Sequence, residues 1–164
     1  MNLMMVIGVA LTVLLLYAIK EGWKLQRRKK KQMALAKAYD RLVREHKLSI
    51  EQAEMMGRKV IALDRKNKKL LLIDYSEGSQ QEACVFLPAI DSIRTLKVGG
   101  ETGGCIQKIM LELKYKTLDK PESFCFYDEA FNNATELTSL SRRAMHWRDR
   151  IESCRRMESI RSAS

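Results

Sequence analysis

The pattern of hydrophobic positions changes along the chain, and each stretch predicts a different kind of element. The first nineteen residues carry no charged side chain. A helix from Leu3 to Ile19 would measure about 25 Å, close to the thickness of a hydrocarbon core. The pattern therefore predicts an apolar membrane-spanning helix over residues 1–19, whose lipid-facing candidates are Leu3, Leu11, Leu14, Leu15, Leu16 and Ile19.

The charges beside this run bear on three interpretations: a membrane anchor, a cleaved secretory signal and a buried helix of a soluble core. A secretory signal carries its positive charges before the apolar run and a small-residue cleavage site after it. Here the positive charges follow the run, which favours a single-pass anchor. The positive-inside rule then predicts an inner (plasma) membrane protein with its N-terminus outside and its C-terminal domain in the cytoplasm. The basic residues expected at the membrane surface are Arg27, Arg28, Lys29, Lys30 and Lys31.

The basic character of the protein is concentrated next to the predicted anchor. The whole chain has a formal net charge of +10, of which residues 20–48 carry +8 and residues 49–164 carry only +2. A basic segment beside a membrane is attracted to anionic lipid. We therefore expect membrane lipid as a partner of this segment, and we do not expect nucleic acid binding.

Residues 20–57 form a basic juxtamembrane linker with a helical pattern. From Trp23 to about Met56 there is no proline, and apolar residues recur at spacings of three and four. We expect a helix that breaks near Lys47, followed by a short helix that begins at the capping-box pattern Ser49 to Gln52 and ends at Gly57. A solvated charged linker and a helix that pairs two copies in a homodimer are the alternatives.

The period changes to that of β-strands at Arg58. Two apolar runs flank the polar loop from Asp64 to Lys69, which predicts a β-hairpin. The strand from Gln107 to Lys116 alternates apolar and polar residues, so one of its faces should be buried. Six strands are predicted in all, over residues 59–63, 70–75, 83–87, 91–98, 107–116 and 123–127.

A long amphipathic helix closes the pattern. Asn133 followed by Glu136 is typical of a helix start. The predicted buried stripe consists of Leu137, Leu140, Ala144, Trp147, Ile151 and Cys154, and residues 157–164 should fray. The fold class predicted is α+β: a transmembrane helix and basic linker, then a small antiparallel β sandwich or barrel capped by a C-terminal helix.

Several local motifs resemble the pleckstrin-homology and GRAM-like domain superfamily, in particular its bacterial PH-like members. The segment from Phe86 to Leu96 is similar to an apolar-Pro-x-x-Asp-Ile pattern of these domains, and Trp147 resembles a tryptophan of their closing helix. The resemblance covers residues 58–156, although these domains usually have seven strands. It implies a non-catalytic binding or scaffold module.

The resemblance also implies where partners would bind. Some relatives bind phosphoinositides through basic residues of the first hairpin loop, to which Arg65, Lys66, Lys68 and Lys69 correspond here. A solvated turn is the other interpretation of this loop. The predicted partner is an unidentified membrane or cytosolic protein, and anionic lipid headgroups are the alternative. The second candidate surface is the arginine-lined face of the last helix, with Arg142, Arg143 and Arg150.

The sequence contains no pattern that predicts catalysis. The four cysteines lack the close spacing of a zinc or redox motif, and we expect reduced thiols in the cytoplasm. The glycine-rich stretch from Gly99 to Gly104 is not followed by the lysine and hydroxyl residue of a phosphate-binding loop. We therefore expect no catalytic residue, no metal site and no cofactor.

Overall fold

A computed structural model describes residue 30 and residues 32–76, 80–99, 105–118 and 120–161. Helix α1 covers residues 32–45 and helix α2 covers Leu137–Arg161. Short 3₁₀ turns lie at Leu87–Ala89 and Ala134–Glu136. The strands are β1 (Gln52–Met56), β2 (Lys59–Asp64), β3 (Lys69–Asp74), β4 (Gln81–Phe86), β5 (Ile90–Gly99), β6 (Ile106–Tyr115) and β7 (Glu122–Asp128).

The strands form two antiparallel sheets that follow the order of the sequence. The first sheet has the order β1-β2-β3-β4 and the second has the order β5-β6-β7. Helix α2 packs on the second sheet and contacts all three of its strands. This arrangement of four and three strands capped by a long C-terminal helix is consistent with a PH-like topology.

The central strands β2 and β3 are buried on both faces. Alternate side chains of each strand enter an inner core between the sheets and α2, which includes Ile61, Leu63, Leu70 and Leu72. The remaining side chains enter a second, outer core. This outer core contains Val60, Ala62, Leu71 and Ile73 of the sheet together with Leu35, Leu42 and Leu48.

Helix α1 forms the cover of the outer core. Leu35, Ala38 and Leu42 are buried, and Tyr39 is half-buried beside them. The helix ends where Lys47 takes a positive φ of 50°, which confirms the predicted break near this residue. Residues 32–45 are therefore a packed part of the fold, not a solvated linker.

The prediction of a short helix from Ser49 to Gly57 is wrong. This segment forms strand β1, which pairs with β2 so that Gln52 lies opposite Leu63 and Met56 opposite Lys59. The sheet thus begins six residues before the predicted boundary at Arg58, and the strands number seven among the described residues. Gly57, with φ of 61°, is the first residue of a two-residue hairpin turn.

The predicted start and buried stripe of the last helix are confirmed. A capping box joins Asn133 and Glu136, whose carboxylate accepts a hydrogen bond from the Asn133 N–H at 3.0 Å. Leu140, Ala144, Trp147, Ile151 and Cys154 are buried in the inner core, and Leu137 packs against it.

Candidate interaction surfaces

The conformation of the basic loop between β2 and β3 depends on the buried carboxylate of Asp64, the last residue of β2. Asp64 accepts hydrogen bonds from the Asn67 N–H at 2.8 Å and from the Asn67 Nδ2 at 2.7 Å. It also accepts one from the Ser49 N–H at 2.7 Å. Lys68 then takes a positive φ of 53°, which reverses the chain into β3. The loop conformation is thus set by short polar contacts.

The basic side chains of this loop have different environments. Lys66 is exposed, whereas the Lys69 Nζ donates to the His46 carbonyl oxygen at 3.1 Å and so binds the end of α1. The Arg65 Nε lies 3.9 Å from the Glu51 Oε2, and this buried nitrogen has no hydrogen-bond partner. The Lys69 Nζ therefore uses one of its three donors within the fold, while Lys66 and the exposed part of Arg65 can contact another molecule.

The loop joins the second and third strands. The resemblance to PH-like domains places these basic residues in the first hairpin loop. Because β1 precedes β2, the first hairpin turn of the structure is instead the turn at Gly57 and Arg58. The basic residues thus lie in the β2–β3 turn, at the opposite end of β2 from the first hairpin turn.

The loop approaches the C-terminal half of α2. Burial raises the pKa of the Cys154 thiol, and the nearby positive charges of Arg65 and Lys68 act in the opposite direction. At the next residue of the helix, the Arg155 Nη1 donates to the Ile90 carbonyl oxygen at 3.0 Å and to the Asp91 carbonyl oxygen. The hydrogen bonds of Arg155 thus join this part of α2 to the start of β5.

Of the three arginines predicted as a second surface, Arg143 lies against β1. Arg142 is exposed. The Arg143 Nη1 lies 3.3 Å from the Glu54 Oε1, and the guanidinium carbon of Arg150 lies 5.8 Å from the centre of the Trp147 ring. Arg143 thus joins α2 to β1 through an ion pair, while Arg150 makes a cation–π contact within α2.

Glu54 is the residue of this region that the sequence interpretation missed. Its Oε2 accepts a hydrogen bond from the Trp147 Nε1 at 2.6 Å, and its Oε1 faces Arg143. The contact joins residues 93 positions apart. The available signal was the buried tryptophan, because an indole N–H inside a fold needs an acceptor.

The predicted membrane anchor and most of the basic membrane-surface segment lie outside the described residues. Of that segment, Lys30 is described and exposed. In the described ranges, none of the helices has the length and apolar character needed to cross a membrane. The same part of the chain contains no group of three or more metal-ligating side chains. Cys84, Cys105, Cys125 and Cys154 are free thiols.

The comparisons with known proteins add no family to this description. No protein-family model matches the chain, and neither do any of the curated proteins or solved structures that were searched. The class of the protein thus follows from its own fold: an α+β domain of two antiparallel sheets, with a helix on the outer face of one and a second helix on the other.

Proposed function

We propose that the chain is a single-pass membrane protein that presents a non-catalytic, PH-like interaction module to the cytoplasm. The apolar run over residues 1–19 would be the anchor, and the basic residues 27–31 would lie against anionic lipid. The partner would be another membrane or cytosolic protein, which the module holds near the bilayer.

The observation that carries this proposal is the packing of α1 on the first sheet. The described part of this helix directly follows the basic segment in the sequence, and it buries Leu35 and Leu42 in the outer core. An ion pair between Arg41 and Glu82 adds to the contact. A module joined in this way to an anchor would keep a defined orientation, which suits a protein that positions a partner.

The direction of α1 favours a protein partner over a lipid headgroup for the basic loop. The end of α1 contacts Lys69 at the start of β3, and residue 32 lies about 20 Å back along the helix, on the side from which an anchor would approach. Arg65 and Lys66 would then face the cytoplasm. Lipid recognition would require this loop to turn towards the bilayer.

The topology can be tested with cysteine labelling in intact cells. Cys105 is the exposed native thiol and reports on the domain, while Asn2→Cys reports on the N-terminus. Two variants would each keep one of these thiols, with the other cysteines changed to alanine. We expect a membrane-impermeant maleimide to label position 2 in intact cells and Cys105 only after permeabilisation.

The opposite labelling would overturn the proposal. If Cys105 reacts in intact cells, the domain lies outside the cytoplasm, and the interaction module must be assigned to another compartment. A permeabilised sample in which both thiols react serves as the control for their accessibility.

A further inference from the structure

We propose that the end of the β2–β3 hairpin is a docking surface for an acidic segment of a cytosolic protein. This loop-end surface consists of Lys47, Arg65, Lys66, Lys69 and Phe86. The inference rests on the proposed function, since it names the chemistry of the partner that the module would hold. It differs from the arginine face of α2, where Arg143 pairs with Glu54 and Arg150 lies over the Trp147 ring.

The surface is assembled from three separate parts of the chain. The hydrogen bond from the Lys69 Nζ to the His46 carbonyl oxygen brings the end of α1, and with it Lys47, against the hairpin. The hydrogen bond from the Leu87 N–H to the Lys68 carbonyl oxygen, 2.9 Å long, fixes the end of β4 beside the loop. The basic groups are thus held in place by backbone contacts.

The carboxylates around this surface balance only part of its positive charge. Asp64 is buried, and its hydrogen bonds with Ser49 and Asn67 direct it into the loop. Glu51 faces Arg65, but the 3.9 Å separation from the Arg65 Nε is too long for a hydrogen bond. The Arg65 side chain is 38% exposed, so an incoming carboxylate can contact its exposed part, and a guanidinium binds carboxylates through several parallel hydrogen bonds.

An exposed aromatic ring lies beside these cations. Phe86 is 52% exposed and lies opposite Lys69 in the register of β3 and β4. Protein interfaces are enriched in aromatic and arginine side chains at their centres. An apolar residue within the acidic segment would cover Phe86, so the best-fitting partner combines glutamate or aspartate with a large aliphatic or aromatic side chain.

Peptide binding to the full-length protein in nanodiscs of neutral lipid would test this surface. The probe is a short fluorescein-labelled peptide of glutamate and leucine, and the matched peptide carries glutamine in place of glutamate. We expect fluorescence anisotropy to report binding of the acidic peptide and little binding of the neutral one. Lys66→Glu and Phe86→Ala should each raise the dissociation constant by about tenfold.

Lys97→Glu is the matched control variant. Lys97 is also exposed but lies near the far end of β5, opposite Ile109, so the same charge reversal occurs away from the loop-end surface. It should change the dissociation constant by less than about twofold, because exposed charges at that distance are screened by salt. The basic residues 27–31 are present in every variant and contribute a constant background.

Three results would overturn the proposal: equal binding of both peptides, no binding, or equal weakening by Lys66→Glu and Lys97→Glu. A further arm adds anionic phosphatidylserine vesicles. If they displace the peptide from the wild type and bind Lys66→Glu poorly, the surface recognises a membrane and not a protein. Because the protein is purified and reconstituted, failure here leaves the cellular topology, and hence the proposed function, untouched.

Discussion

The carboxylate of Asp64 links the loop after β2 to the segment that follows α1. Burial acts to raise its pKa, but the hydrogen bonds from Asn67 and Ser49 and the charge of Lys69 outweigh this effect. Its pKa therefore lies below the ordinary value of 3.8. A buried carboxylate with three donors is stable only as long as those donors remain in place.

We expect Asp64→Ala to lower the free energy of unfolding by about 2–4 kcal/mol, because it leaves the N–H groups of Ser49 and Asn67 without their acceptor. Urea unfolding in mild detergent, followed by Trp147 fluorescence in a Trp23→Phe background, would measure this loss. Asp91→Ala is the control, since Asp91 is exposed. Equal losses in both variants would contradict the assigned role.

The same carboxylate predicts a pH dependence. A carboxyl group with a lowered pKa in the folded state stabilises the fold above its unfolded pKa, and this contribution disappears as the pH falls through the folded value. Asp64→Asn removes it at every pH. The stability difference between the wild type and Asp64→Asn should therefore narrow as the pH falls below about 3.8. A constant difference across that range would exclude this carboxylate as the cause.

Glu54 offers a second test at the level of single residues. Glu54→Ala deprives the Trp147 indole of its acceptor and should cost about 1–2 kcal/mol in urea unfolding. Glu54→Gln keeps an acceptor for the indole and loses only the ion pair with Arg143, so its cost should be smaller. If both variants lose the same stability, the ion pair and not the hydrogen bond dominates.

Among the elements, α1 covers the outer core of the first sheet. Leu42→Ala should lower the free energy of unfolding by about 2–3 kcal/mol, because the leucine is buried in the outer core. It should also speed amide hydrogen exchange over residues 32–45. Met33→Ala is the matched control on the same helix, since Met33 is 58% exposed. Unchanged stability in Leu42→Ala would mean that the helix does not dock in solution.

The elements with strong periodicity were predictable, while one short segment was ambiguous. Strand β6 and the stripe of α2 both follow from long regular patterns. The segment from Ser49 to Gly57 satisfied a capping box at its start and a helix C-terminus at its end. Gly57 fits that helix end and the observed hairpin turn equally well, since both use a positive φ. Pairing with β2, which no local pattern expresses, decides between them.

One sequence feature indicates the outer core, although the periodic pattern of the strands does not. Leu70 to Ile73 is an unbroken apolar run, and such a run in a strand indicates that both faces are buried. The inner face could be assigned to the opposite sheet and α2. The cover of the outer face could not, because the apolar stripe of residues 35–43 also suits a solvated or dimeric helix. The ion pair of Arg143 could not be predicted either, because its partner Glu54 is distant in the sequence.

At the scale of the whole molecule, the packing of α1 on the first sheet determines which end of that sheet would lie nearer the membrane. Lys66 lies at the end of the first sheet reached by the C-terminus of α1, and Gln80 lies just before β4 at the other end. An anchor that continues into α1 would therefore hold Gln80 nearer the bilayer than Lys66.

Fluorophores attached to Gln80→Cys and Lys66→Cys, in a background without other cysteines, would measure this orientation in nanodiscs with nitroxide-labelled headgroups. Both positions are exposed, so the attached dyes should leave the cores intact. We expect stronger quenching at position 80, because nitroxide quenching falls steeply with distance and the first sheet separates the two sites by about 20 Å. Releasing the helix with Leu35→Asp should equalise the two signals. Stronger quenching at position 66 would instead turn the basic loop towards the lipid and favour headgroup recognition.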